Sequence, residues 1–81
     1  MGKLENKTEI TDRIPAIGPD GEPITVIETT SFIREQLHDM SWTPWLRTTC
    51  RYSWGQLHLN PAEDGSWETA EHAPRKVTRR H

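Results

Sequence analysis

Cys50, His58 and His72 are the residues of this 81-residue chain best suited to nucleophilic or metal chemistry, and their spacing favours neither. A zinc site needs Cys, His or carboxylates in tight clusters. These three are scattered, with His58 alternating against Leu57 and Leu59 and Cys50 in phase with Tyr52 and Trp54. As a nucleophile Cys50 has Arg47 and Arg51 close in sequence, and nearby cations lower a thiol's pKa. In a strand, however, Arg51 projects to the opposite face, and no motif places a general base. The carboxylate pairs Asp20–Glu22 and Glu63–Asp64 lie in turn-forming segments, where Asp is expected for backbone reasons. Phosphate-binding loops, dinucleotide fingerprints and HExxH are missing. The expectation is a protein that is not an enzyme, with no catalytic, cofactor-binding or metal-binding residues.

Aromatic and basic residues carry more information. Trp42 and Trp45 flank Pro44 in a stretch with no strand or helix period, where nothing obliges burial. Paired tryptophans there can cap a small sheet or form a contact surface. Arg75, Lys76, Arg79 and Arg80 crowd the end of the chain, and Arg47 and Arg51 lie nearer its middle. Residues 1–40 hold four basic groups against eight acidic ones, whereas residues 41–81 hold six against four, which gives −4, +2 and −2 in all. Aromatic platforms flanked by arginine are one way that small β domains hold single-stranded nucleic acid. A pI near 6.0 argues against a dedicated nucleic-acid binder. The leading expectation is therefore a protein partner or self-association, with nucleic acid as runner-up. The candidate contact residues are Trp42, Trp45, Arg47, Arg51, Arg75, Lys76, Arg79 and Arg80.

The elements that must position these residues follow from turn chemistry and alternation. Gly18-Pro19-Asp20-Gly21 and Glu63-Asp64-Gly65-Ser66 are hairpin turns: Asp bonds locally and Gly accepts a left-handed backbone. Period two marks strands at Ile10–Ile17, Ile24–Ile33, Thr48–Trp54, Gln56–Asn60, Ser66–Glu71 and Arg75–Arg79. Phe32, Ile33, Gln36, Leu37 and Met40 also fit a helix face, so residues 30–40 read either as strand or as a short helix. Residues 38–46 read as loop and residues 1–8 as a frayed start, leaving 9–81 as one small domain. The inward phases nominate Ile14, Ile24, Val26, Cys50, Tyr52, Trp54, Leu57, Leu59, Trp67 and Val77 as the core.

The fold expected is all-β or β-dominated α+β: a small antiparallel sheet or partly open barrel of four to six short strands. Only 14 of the 81 residues are Leu, Ile, Val or Phe, a level low enough to raise the question of disorder. Low net charge and four tryptophans answer that concern. No apolar run is long enough to span a membrane, so no membrane partner is expected. One unpaired cysteine and the lack of an apolar leader suit the cytoplasm.

The order Arg51-Tyr52-Ser53-Trp54-Gly55-Gln56-Leu57-His58-Leu59, then Asp64-Gly65-Ser66-Trp67-Glu68, then Pro74-Arg75-Lys76-Val77-Thr78-Arg79 resembles a layout of small bacterial β-rich domain proteins of unknown function. The resemblance covers residues 47–80. It implies a small bacterial β domain and transfers no catalytic residue.

Overall fold

Two long strands set the shape of the molecule. The computed structural model describes residues 2–80, so residue 1 of the expected frayed start lies outside the described residues. Strands β1 (Leu4–Ile17) and β2 (Pro23–Glu35) form one antiparallel hairpin from Ile17↔Pro23 to Leu4↔Glu35. Density of β-branched residues and period two hold both in extended form. β3 (Leu46–Trp54), β4 (Leu57–Pro61), β5 (Trp67–Thr69) and β6 (Lys76–Arg79) follow, each antiparallel to the one before. β6 then bonds back to β1 at Ala16↔Arg79 and Ile17↔Thr78. The protein is thus all-β: one antiparallel sheet of six strands whose hydrogen bonding closes into a ring.

The ring is uneven because its strands differ in length. β5 has three residues and β6 four, so they line only the turn-proximal part of the hairpin. There the core gathers Ile14, Ala16, Val26, Leu59, Trp67 and Val77, with Ile24, Tyr52 and Trp54 packed against it. The Tyr52 and Trp67 rings meet at 5.6 Å between centroids. Beyond Ile10, Thr30 and Cys50, only β1, β2 and β3 continue. They form a three-stranded arm, which explains principal extents of 55 × 27 × 22 Å.

Three expectations change. Cys50 is exposed rather than core. It pairs with Thr30 where β4 no longer accompanies β3, so the residue on its inward phase has no opposite wall. The segment expected to be frayed is strand from Leu4 onward, tied by the Gln36 amide donating to the Lys3 carbonyl at 2.8 Å. Residues 30–35 are strand, and residues 36–42 form a turn rather than a helix.

That turn repeats the two Asp-Gly turns. In Gly18–Glu22 and Ala62–Ser66, the first amide donates to the fifth carbonyl at 2.8 Å in both. The fourth amide donates to the first carbonyl at 3.0 and 3.2 Å. The fourth residue is glycine in each, Gly21 and Gly65, at φ 84° and 87°. Leu37–Ser41 makes the same pair of bonds at 2.7 and 3.0 Å, but its fourth residue is Met40, at φ 72°. Asp39 and Asp64 play identical parts, each accepting the serine amide two residues on at 3.0 Å. The serine hydroxyls hold both carboxyls below the usual carboxylate range, at Asp64 with help from Lys76. A side chain in the left-handed region costs about 1–2 kcal/mol relative to the right-handed one, and glycine escapes it. Met40→Gly is therefore expected to stabilise the protein by about 1 kcal/mol, read as a higher urea midpoint at unchanged m. An unchanged or lower midpoint would show that Met40 is not strained.

Candidate protein contact surface

Along the inner face of β2 the chemistry changes in three steps. Ile24 and Val26 belong to the core. Next come Glu28 and Thr30, in a polar layer. Thr11 Oγ1 donates to Glu28 Oε1 at 2.7 Å and lies 2.7 Å from Thr30 Oγ1. Thr30 Oγ1 lies 3.6 Å from Cys50 Sγ, which lies 3.8 Å from Tyr52 Oη. Last come Phe32 and Arg34 on the arm, where the loop after β2 folds back over them.

That loop is held by backbone bonds. The Thr43 amide donates to the Glu35 carbonyl, and the Glu35 amide to Thr43 Oγ1, both at 2.8 Å. This places Trp42 and Trp45 over the cations of the sheet. Arg34 Cζ lies 4.3 Å from the Trp42 centroid and 4.6 Å from that of Trp45. Lys7 Nζ lies 4.5 Å from Trp45 and 5.6 Å from Phe32. Glu5 and Glu9 complete the stack, Glu5 accepting Arg34 Nε at 2.7 Å and Glu9 pairing with Lys7 at 3.0 Å. Each cation–π contact is worth about 0.5–1 kcal/mol at such half-exposed sites. Together they do for the arm what aliphatic packing does for the ring. Both tryptophans are half-buried with ring faces engaged by the chain's own cations.

The outer face is different. Leu4, Thr8, Ile10, Ser31, Ile33, Thr49 and Arg51 share it by register. Leu4 is 64% exposed, Ile10 53% and Leu46 59%, while Leu37 (44%) and Met40 (71%) project from the tip. Among the described residues, the five exposed large aliphatic side chains all belong to the arm and its tip. Leu4, Ile33, Arg34, Glu35, Thr43 and Leu46 line a shallow, mainly apolar hollow.

The basic residues do not form one stripe. β3 and β6 stand three strands apart in the ring, so Arg47 and Arg51 lie far in the strand order from the terminal cluster. Arg75 makes a bidentate bond to Glu71 (2.9 and 3.1 Å), which also accepts Thr69 Oγ1 at 2.6 Å. Lys76 donates to Asp64 at 2.9 Å. Arg79 lies over the Trp67 ring at 4.9 Å, closing the core from outside. The Arg80 amide donates to the Pro15 carbonyl at 3.0 Å, extending the β1–β6 seam. Among the described residues no three His, Cys, Asp or Glu side chains gather as a metal site would require. Nor, among the described residues, is any helix long and apolar enough to cross a membrane.

Sequence reasoning missed the aliphatic outer face and the third Asp turn. The turn was findable, because Asp39-Met40-Ser41 matches Asp64-Gly65-Ser66 at two of three positions. The comparisons add no relative: no family model, curated protein or solved structure matches the chain.

The polar layer offers a direct check of this geometry. Burial, then the Cys50 thiol and the Glu28 carboxylate, push the Tyr52 phenol up to about 12. A phenol raised in the folded state contributes stability that is full below the unfolded pKa near 10 and lost as pH rises through the folded value. Tyr52 is the only tyrosine, so its ultraviolet ionisation can be followed alone. The expected midpoint is near 12 in the native protein and near 10 in urea, with stability falling between them. A native midpoint near 10 would contradict the layer.

Proposed function

We propose that this protein is a non-catalytic interaction module that contacts another polypeptide, a second copy or a different protein, through the arm. The observation that carries the reading is the distribution of exposed aliphatic side chains. The ring buries or half-buries its own, while Leu4, Ile10, Leu37, Met40 and Leu46 stand in solvent along one projection. Scattered exposed apolar residues need no explanation, but a set confined to one element marks an interaction surface. Met40 adds to this, because a left-handed non-glycine backbone at a tip persists only where something retains it. The inner cation–π stack ties the strands and loop of the arm to one another, and such pre-ordering lowers the entropy lost on binding.

The alternative, nucleic-acid binding by Arg75, Lys76, Arg79 and Arg80 with Arg47, Arg51 and the loop tryptophans, draws less support. Two of the four terminal cations are paired with the chain's own carboxylates at the surface, and the tryptophan faces already hold cations. A photo-crosslinking residue placed at Leu46, and separately at Gln56 on the ring, separates the readings in cells of the native host. Adducts with polypeptide at Leu46 and none at Gln56 are expected. Equal labelling at both sites, or none at Leu46, would overturn the proposal. So would oligonucleotide binding that is strong at low salt and lost in the Arg79→Ala, Arg80→Ala double variant.

A further inference from the structure

We infer that the arm's partner is a second copy of this chain, joined antiparallel along the free edge of β1 in a register centred on Asn6. The inference rests on reading the arm as a contact surface. β1 is bonded to β2 along its length apart from the irregularity at Ile10/Asp12, but among the described residues its other edge is met only at Pro15, Ala16 and Ile17, by β6 and Arg80. From Leu4 to Ile10 that edge faces solvent.

Backbone direction follows from one bond. The Lys3 carbonyl accepts the Gln36 amide, so Lys3 points its polar groups at β2. Groups alternate along an antiparallel strand. Glu5, Lys7 and Glu9 therefore also face β2, while Leu4, Asn6, Thr8 and Ile10 present amide and carbonyl to the open edge. Two copies related by a two-fold axis can pair only like with like, which restricts the axis to a few residues.

Charge selects among them. Lys3, Glu5, Lys7 and Glu9 alternate in sign on one face. An axis at Lys7 sets Lys7 against itself and Glu5 against Glu9. An axis at Glu5 sets Glu5 against itself and Lys3 against Lys7. An axis at Asn6 sets Glu5 against Lys7 and Lys3 against Glu9, each twice, so all eight charges meet their opposites. An axis at Thr8 satisfies only Lys7 with Glu9 before the irregularity at Ile10/Asp12 ends the regular edge. Charges on an edge strand usually guard against pairing. Here their alternation guards against the wrong registers and favours one.

The outer face gains as well. In the Asn6 register, Ile10 of one copy lies opposite Gly2 of the other and diagonal to its Leu4. Diagonal neighbours at ~7–8 Å are within reach of long side chains. Two of the five exposed aliphatic residues thus cover each other at both ends of the seam. The two three-stranded arms become one six-stranded sheet, with the rings at opposite ends.

Sedimentation equilibrium of the full chain over a wide concentration series, with Glu5→Lys and Lys7→Glu, tests this. Each variant alone turns two attractive pairs repulsive, and its self-association constant should fall about tenfold or more. Mixing the two restores every pair, so the mixture should associate as tightly as the wild type, which also shows that both variants fold. Amides of Leu4, Asn6, Thr8 and Ile10 should gain hydrogen-exchange protection with concentration. A mixture no tighter than the single variants overturns the inference. Loss of association in Lys7→Glu but not in Glu5→Lys moves the axis to Thr8 and overturns the Asn6 register. A monomer at every concentration, with crosslinks from Leu46 to a different polypeptide, overturns self-pairing and leaves the contact surface standing. A monomer without such crosslinks removes both.

Discussion

Everything in this molecule depends on a mismatch of strand lengths. A backbone polar group away from water needs a partner, and a core needs walls on all sides. β1 and β2 run for 14 and 13 residues, whereas β4, β5 and β6 offer five, three and four. The short strands can enclose only one end of the long hairpin. The aliphatic core therefore sits at that end, and the rest of the hairpin with half of β3 stands clear as an arm.

Once the walls stop, the inner face of β2 has to be stabilised by other means. Glu28 and Thr30 mark the change, in a layer where every buried side-chain nitrogen and oxygen among the described residues is hydrogen-bonded. Farther out, Phe32 and Arg34 meet Lys7, Trp42 and Trp45, so that cations over rings replace packed aliphatics. Indole suits this role, since it covers apolar area while offering its face to a cation. The loop tryptophans thereby hold the arm together, and the surface left over for contact is the opposite, aliphatic face with the open edge of β1.

The same economy governs charge. Arg75 and Lys76 are absorbed by Glu71 and Asp64, carboxylates that also organise a turn and the β5–β6 link. Ion pairs this exposed add little stability individually. Their effect is on the field: a sequence cluster of four cations becomes, in space, two neutralised pairs, a cap on Trp67 and one residue at the β1–β6 seam. Linear charge density therefore overstated the basic surface.

Much of the fold was readable in the residues. Asp-Gly turns and period-two alternation located six strands, though not the first half of β1 or the end of β2, because both are local effects of backbone preference and side-chain direction. They also nominated Ile14, Val26, Leu59, Trp67 and Val77, which are buried. Alternation says which way a side chain points, but not whether anything stands opposite. Cys50 and Trp67 were both on inward phases, yet only Trp67 has β6 and Tyr52 across from it. Equally, no local rule told that Trp42 and Trp45 would fold onto Arg34 and Lys7, residues 8 to 38 positions away in the chain. Nor could it tell that the third Asp turn would tolerate methionine where the other two have glycine. Those outcomes were decided by which strands run out first, and that is a property of the closed ring rather than of any segment in it.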